Sequence, residues 1–194
     1  LIGIHLSESK KEVDEMTLQK GKAPIHYLDS LKFFDTPVLA AHCIYLTEDE
    51  MRVLKEKGVG ITHNPESNFK VCSGVAPIPK LLKLGLPVSL GTDGPATKNN
   101  LDLFDTMRFA ALVHKLHAND ATVVNAKETV DMVTVNAAKS LFMEASIGSI
   151  EVGKFADMIV VDLSAPHLTP CYHLQSLLVY SAMGSDVETT IIHG

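Results

Sequence analysis

Several things are missing from this chain of 194 residues, and each absence closes off a class of function. There is no C-x-x-C, and Cys43, Cys72 and Cys171 are widely spaced and odd in number. That pattern supports neither a disulfide framework nor a thiolate metal site, so the three read as reduced, mostly buried thiols of a cytoplasmic protein. No apolar run approaches the roughly 20 residues of a membrane-spanning helix, and no signal-peptide pattern is visible. A basic excess is lacking too: the net charge of −6 argues against nucleic acid or an anionic membrane as partner. Low-complexity tracts are absent. The 46% hydrophobic content suits one globular domain with a substantial core and room for a small second module. The chain opens inside a strand-like run at Leu1 and ends on Ile191-Ile192-His193-Gly194, a strand running into a turn, so it reads as a segment of a longer protein.

What is present is a recurring pattern. Leu1 to His5, Val38 to His42, Val59 to His63 and Val88 to Asp93 are short apolar runs, each closed by an ionisable side chain. Each has the length of a buried parallel strand and is followed by a loop and a helix-like segment. Ser9 to Glu12 and Thr47 to Glu50 are capping boxes that start helices. The helix after Thr47 carries Met51, Val53 and Leu54 and stops at Gly58; one near Pro79 to Leu84 stops at Gly85. Leu101 to His117 is a longer amphipathic helix, and Asn125-Ala126-Lys127-Glu128 caps another that runs to about Met143. Alternating strands and helices give a parallel sheet.

An open doubly wound sheet concentrates its site at one switch point, whereas here every strand ends in a polar candidate. That favours a barrel with its site on the C-terminal rim. Only four such strands are visible where eight are needed, so residues 1–147 read as the second half, strands five to eight, of a (β/α)8 TIM barrel. From 148 to 194 the character changes. A turn-rich stretch leads to the β-branched run Met158 to Leu163, a short helix near Leu174 to Ala182 and a strand from Val187 to His193, part of a small β-sandwich module.

Histidines and an aspartate converging on one rim are enough to propose a divalent metal. His5-Leu6-Ser7-Glu8 is the sharpest local signal. If the strand ends near Leu6, the loop swings Glu8 back over the rim beside His5, where a partly desolvated carboxylate can shuttle a proton. The alternative is that Glu8 only favours the next helix N-terminus, yet Ser9 and Glu12 already fill the capping roles. His42 either ligates the metal, hydrogen-bonds to substrate, or is a buried structural histidine. Asn64 to Pro77 reads as a long loop explained by turn chemistry, with His63 structural. His26, His114, His117, His167, His173 and His193 have no partner pattern and read as surface or helix-face residues. Asp93, flanked by Gly91 and Gly94, is a candidate metal ligand and base.

His5-Leu6-Ser7-Glu8, Ala40-Ala41-His42-Cys43, His63-Asn64-Pro65-Glu66-Ser67-Asn68, Gly91-Thr92-Asp93-Gly94 and Gly153 to Asp157 together resemble the amidohydrolase superfamily, and more narrowly its 5-methylthioadenosine/S-adenosylhomocysteine deaminases. The resemblance runs from Ile4 to Gly194. It implies a zinc-dependent barrel with a small β-sandwich built from both chain ends, with iron(II) or manganese(II) as alternatives to zinc. It implies that His5 and Asp93 ligate the metal and that Glu8 carries a proton to the ring of a purine nucleoside-like substrate. His42 would hydrogen-bond to the attacked centre or the nucleophilic water, Asp93 would take the water's proton, and ammonia would leave. Glu8, His42, Asp93 and Thr97 would contact the substrate.

Two departures stand out. The family supplies two further ligands from an H-x-H on its first strand, and no H-x-H occurs here. The loop after Asp93 has Thr97 where the family usually has a serine, and an unusual Lys98 that either meets an anionic substrate tail or is solvated. Three readings follow: a deaminase of adenosine thioethers, another enzyme of the superfamily (a guanine or cytosine deaminase, or a triazine chlorohydrolase), or a half barrel that is inactive alone. The half barrel would need its N-terminal half, a second copy of itself or another protein to cover its open edges.

Overall fold

The computed structural model describes residues 1–194. Four strands, β1 (Ile2–Leu6), β2 (Val38–His42), β3 (Gly60–His63) and β4 (Val88–Leu90), form one parallel sheet in sequence order. Between β1 and β2 lie α1 (Lys10–Lys20) and α2 (Pro24–Ser30), and between β2 and β3 lies α3 (Glu48–Glu56). Two helices, α4 (Pro65–Lys70) and α5 (Ile78–Lys83), connect β3 to β4. After β4 come α6 (Pro95–Lys98), α7 (Leu103–Ala118), α8 (Ala126–Val133) and α9 (Val135–Ser140). A separate antiparallel pair, β5 (Met158–Val161) and β6 (Val187–Ile191), flanks α10 (Leu174–Tyr180).

Local chemistry accounts for most boundaries. Both expected capping boxes close reciprocally, Ser9 with Glu12 and Thr47 with Glu50, and Asn125 does the same with Glu128. Gly58 and Gly85 take the left-handed conformation that ends α3 and α5. The helix expected from Asn125 to Met143 is instead two, broken at Thr134, whose φ of −127° and ψ of −101° interrupt the ladder. The stretch from Asn64 to Pro77, expected as loop, contains α4. Pro65 sits in its first turn, where a missing N–H costs nothing. Turn-forming residues here start a helix.

The core lies between the sheet and its helices. Val38, Ala40, Ile61 and Val88 from the strands pack with Leu54, Ile78, Leu81, Met107 and Met132. Strands β2 to β4 are almost wholly buried, as parallel strands with covered faces should be. The outer strand β1 is mostly exposed and pairs only with β2. Cys43 is buried, but Cys72 and Cys171 are exposed, so the thiols are not mostly buried as expected. Burial, with Glu12 and Glu50 nearby, pushes the Cys43 thiol up to about 12, so it is an inert packing group despite adjoining His42. No helix is long and apolar enough to cross a membrane.

Gly60 shows how tightly the helices sit on the sheet. A Cβ there would fall on the backbone of Ser140 at the end of α9, deep inside van der Waals contact. Gly60→Ala is expected to lower stability by about 1–3 kcal/mol, since backbone on both sides must shift. Chemical denaturation would show it, and an unchanged midpoint would contradict this packing.

Candidate metal centre and active site

The site forms where the strand ends turn away from the sheet. In the ladder His5 faces Ala41 and Leu6 faces His42, so simple alternation would send His5 and His42 to opposite sides. The backbone breaks that alternation. Ser7, His42, Cys43 and Asp93 all have positive φ, at 50°, 71°, 50° and 57°. Non-glycine residues adopt this conformation at a cost of roughly 1–2 kcal/mol each, and such strain concentrates at functional sites. The turn at His42 places its ring edge-on to His5, with centroids 4.7 Å apart. Asp93 lies not at the end of β4, as expected, but three residues beyond Leu90 in the following loop. That loop closes on β3, and Gly91 is required there because a Cβ would strike the side chains of Asn64 and Thr62.

The ligand atoms of His5, His42 and Asp93 all lie within 4.8 Å of one another. Two imidazoles and a carboxylate make a donor set suited to zinc. The His42 Nε2 is buried without a hydrogen-bond partner, as a nitrogen reserved for a cation or a bound water would be. These residues therefore fit a divalent metal. His5 is the open side of the cluster, its side chain 67% exposed, while His42 is fully buried.

Glu8 stands beside the cluster. Its Oε2 lies 3.8 Å from His5 Nδ1 and 3.7 Å from His42 Nε2, and its Oε1 accepts from the Ser73 hydroxyl at 3.2 Å. The capping work is done by Glu12, whose carboxylate accepts from the amides of Ser7, Glu8 and Ser9. Glu8 is thereby free to face the rim.

Asp93 is the most heavily held group. Its Oδ2 accepts from Ser67 Oγ at 2.6 Å and Thr97 Oγ1 at 3.0 Å, and its Oδ1 from the Gly94 amide at 2.8 Å. Partial burial works to raise its pKa. The bonds from Ser67, Gly94 and Thr97, with His42 nearby, outweigh that and keep the carboxyl below its usual range.

Two groups behave differently from their expectations. Lys98 is neither solvated nor free for a substrate tail. Its side chain is 1% exposed and its ammonium binds Glu66 Oε2 at 3.0 Å, Asn100 Oδ1 at 2.6 Å and the Asp102 carbonyl at 2.7 Å. This ties the segment carrying Ser67 to the segment carrying Thr97. His114, expected on a helix face without a partner, is buried with its Nε2 2.9 Å from His63 Nε2. Burial and the neighbouring His114 and His42 hold His63 well below 6.5. Burial, with His117 and Lys115, lowers His114 to about 4. The pair is therefore neutral near pH 7, one Nε2 donating to the other. No motif marked His114; its place on the apolar face of α7 was the only available signal.

Comparison with known proteins places the chain in a family. Residues 1–194 match the amidohydrolase family throughout. The chain belongs to that family. This amidohydrolase chain is 51% identical, over 98% of its length, to a 5'-deoxyadenosine deaminase of Methanosarcina mazei. It is 49% identical, over its whole length, to a 5-methylthioadenosine/S-adenosylhomocysteine deaminase of Caldanaerobacter subterraneus subsp. tengcongensis. A zinc-bound adenosine deaminase structure from Xanthomonas campestris superposes with a TM-score of 0.96 at 40% identity, covering 99% of this chain and 44% of that one. The chain spans less than half the length of these relatives, 44% and 45% of the first two.

Two measurements follow. Ser67→Ala in the full-length protein is expected to weaken divalent-metal binding by about 10–100-fold in chelator competition, the size of effect seen when a group that orients a ligand is lost; unchanged affinity would separate Ser67 from the candidate site. For His114 the unfolded group titrates near 6.5 and the folded one near 4. Its contribution is complete above pH 6.5 and falls away between 6.5 and 4, by on the order of 3 kcal/mol. Denaturation at stepped pH is expected to show that decline, and His114→Gln to flatten it.

Proposed function

We propose that this chain is the catalytic C-terminal part of a zinc-dependent hydrolytic deaminase acting on adenosine carrying a 5'-thioether or 5'-deoxy group, such as 5-methylthioadenosine, S-adenosylhomocysteine or 5'-deoxyadenosine. The observation that carries the reading is the convergence of His5, His42 and Asp93 within 4.8 Å, with the Glu8 carboxylate alongside. The named relatives at 49–51% identity support the substrate class.

In this reading β1 to β4 are the fifth to eighth strands of a (β/α)8 barrel, residues 1–147 belong to it, and 148–194 contribute to a β-sandwich. The one-sided pairing of β1 and β4 supports this, because barrel closure gives each a second neighbour. That neighbour would come from the barrel's N-terminal half, which would also bring the remaining metal ligands.

His5 and Asp93 would hold the ion. The chemistry it supplies is activation of water near neutral pH. His42 Nε2 faces the same space and would hydrogen-bond to that water. Asp93, whose hydrogen bonds favour the ionised form, is first an anionic ligand. It would take the water's remaining proton only transiently and pass it to the departing amine. Glu8 would deliver one of the water's protons to the purine ring nitrogen beside the attacked carbon, and the other, handed on by Asp93, would reach the amine, which leaves as ammonia while a carbonyl remains. Thr97, whose hydroxyl is engaged by Asp93 and the Gly94 carbonyl, would shape the pocket by holding Asp93 more than by touching substrate.

The test is ammonia release by the full-length protein from methylthioadenosine, S-adenosylhomocysteine, 5'-deoxyadenosine, guanine and a chlorotriazine. Turnover of the adenosine derivatives is expected, with Glu8→Gln lowering kcat by about 10²–10⁴-fold. Release from none of those three would overturn the reading.

A further inference from the structure

We propose that Asn68 is a positioning residue that sets the tautomer of His42, keeping its single proton on Nδ1 so that Nε2 presents a lone pair to the site. Asn68 and His42 are both fully buried, and Asn68 Oδ1 lies 2.7 Å from His42 Nδ1. An amide oxygen only accepts, so a neutral imidazole on it must carry its proton at Nδ1. Its other nitrogen is then an acceptor, and that nitrogen is the buried, unpartnered one inside the His5–His42–Asp93 cluster.

The backbone fixes Asn68 for this task. Its amide donates to Asn64 O at 3.0 Å inside α4, and its carbonyl accepts from Ser73 N at 2.8 Å where the chain leaves the helix. The adjacent Ser67 holds Asp93, and Ser73 holds Glu8. One short segment thus orients three of the four rim groups.

The consequence deepens the proposed function and, for its catalytic meaning, rests on it. With a single proton held at Nδ1, the His42 imidazole cannot donate from Nε2 to the substrate. It accepts a hydrogen bond from the attacking water, which turns a water lone pair toward the purine carbon. The opposite amide orientation would have Asn68 Nδ2 donate to Nδ1 and leave N–H at Nε2, facing Glu8 Oε2 3.7 Å away. The two arrangements make opposite predictions for Asn68→Asp, whose carboxylate can accept but not donate.

The experiment is long-range ¹H–¹⁵N NMR of the histidine side chains in the metal-free full-length protein, wild type and Asn68 variants. Expected are a protonated Nδ1 and an unprotonated, acceptor-type Nε2 for His42, preserved in Asn68→Asp and lost to a tautomer mixture in Asn68→Leu. Turnover is expected to follow, kept within about 10-fold in Asn68→Asp and reduced about 10–100-fold in Asn68→Leu. A wild-type proton on Nε2, or an Asn68→Leu spectrum like wild type, would overturn the proposal. If Asn68→Leu does not fold, the wild-type and Asn68→Asp spectra decide it. The tautomer is read without substrate, so failure of the deaminase assignment would leave this result standing, and the reverse.

Discussion

The Asp93 carboxylate, held as an anion by Ser67, Thr97 and the Gly94 amide, is the constraint around which the rest of the site is built. A carboxylate with both oxygens engaged has one orientation, and a cation beside it has one place to sit. His5 and His42 reach that place because parallel pairing brings the ends of β1 and β2 level, and the left-handed turn at His42 directs its ring toward His5. The chain accepts strained backbone at the rim, and the buried sheet below, packed on α5, α7, α8 and α9, is rigid enough to hold it.

A layer of polar groups lies behind the donors, and α4 with its exit turn is its main support. Ser67, Asn68 and Ser73 contact Asp93, His42 and Glu8, while Glu66 reaches Lys98 and accepts from Thr106 on α7. An isolated buried ammonium would be costly, but Lys98 has three acceptors, so its charge is compensated and the loops after β3 and β4 are locked together. The neutral His63–His114 pair lies beneath this layer and fastens the end of β3 to α7 without placing a charge in the core.

Much of this was legible in the residues. The ends of β2 at His42 and β3 at His63, the caps at Ser9, Thr47 and Asn125, and the stops at Gly58 and Gly85 follow from local chemistry, and the structure shows them, whereas β4 stops at Leu90, short of Asp93. His5, Glu8, His42 and Asp93 were singled out because each was expected at or just past a strand end, and the structure brings them together. The supporting layer was not legible. Pro65, Ser67 and Asn68 have turn-like propensities, and only contact with Asp93 and His42 shows why they are helical. Lys98 was read as solvated or as meeting a substrate tail because lysine is rarely buried, and its burial depends on Glu66, which is 32 residues away. His114 needed the fold to reveal His63 as its partner. Thr134, which splits the expected long helix into α8 and α9, carries no breaker signal at all.

The central claim is that one cation binds at the mouth formed by these strand ends. The most direct measurement is anomalous X-ray scattering at the zinc edge from crystals of the full-length protein. The account predicts a single peak at bonding distance, about 2.0–2.2 Å, from a His5 nitrogen and an Asp93 oxygen, with His42 Nε2 facing the same space. A peak remote from His5, or an ordered ion with Asp93 turned back wholly onto Ser67 and Thr97, would contradict it.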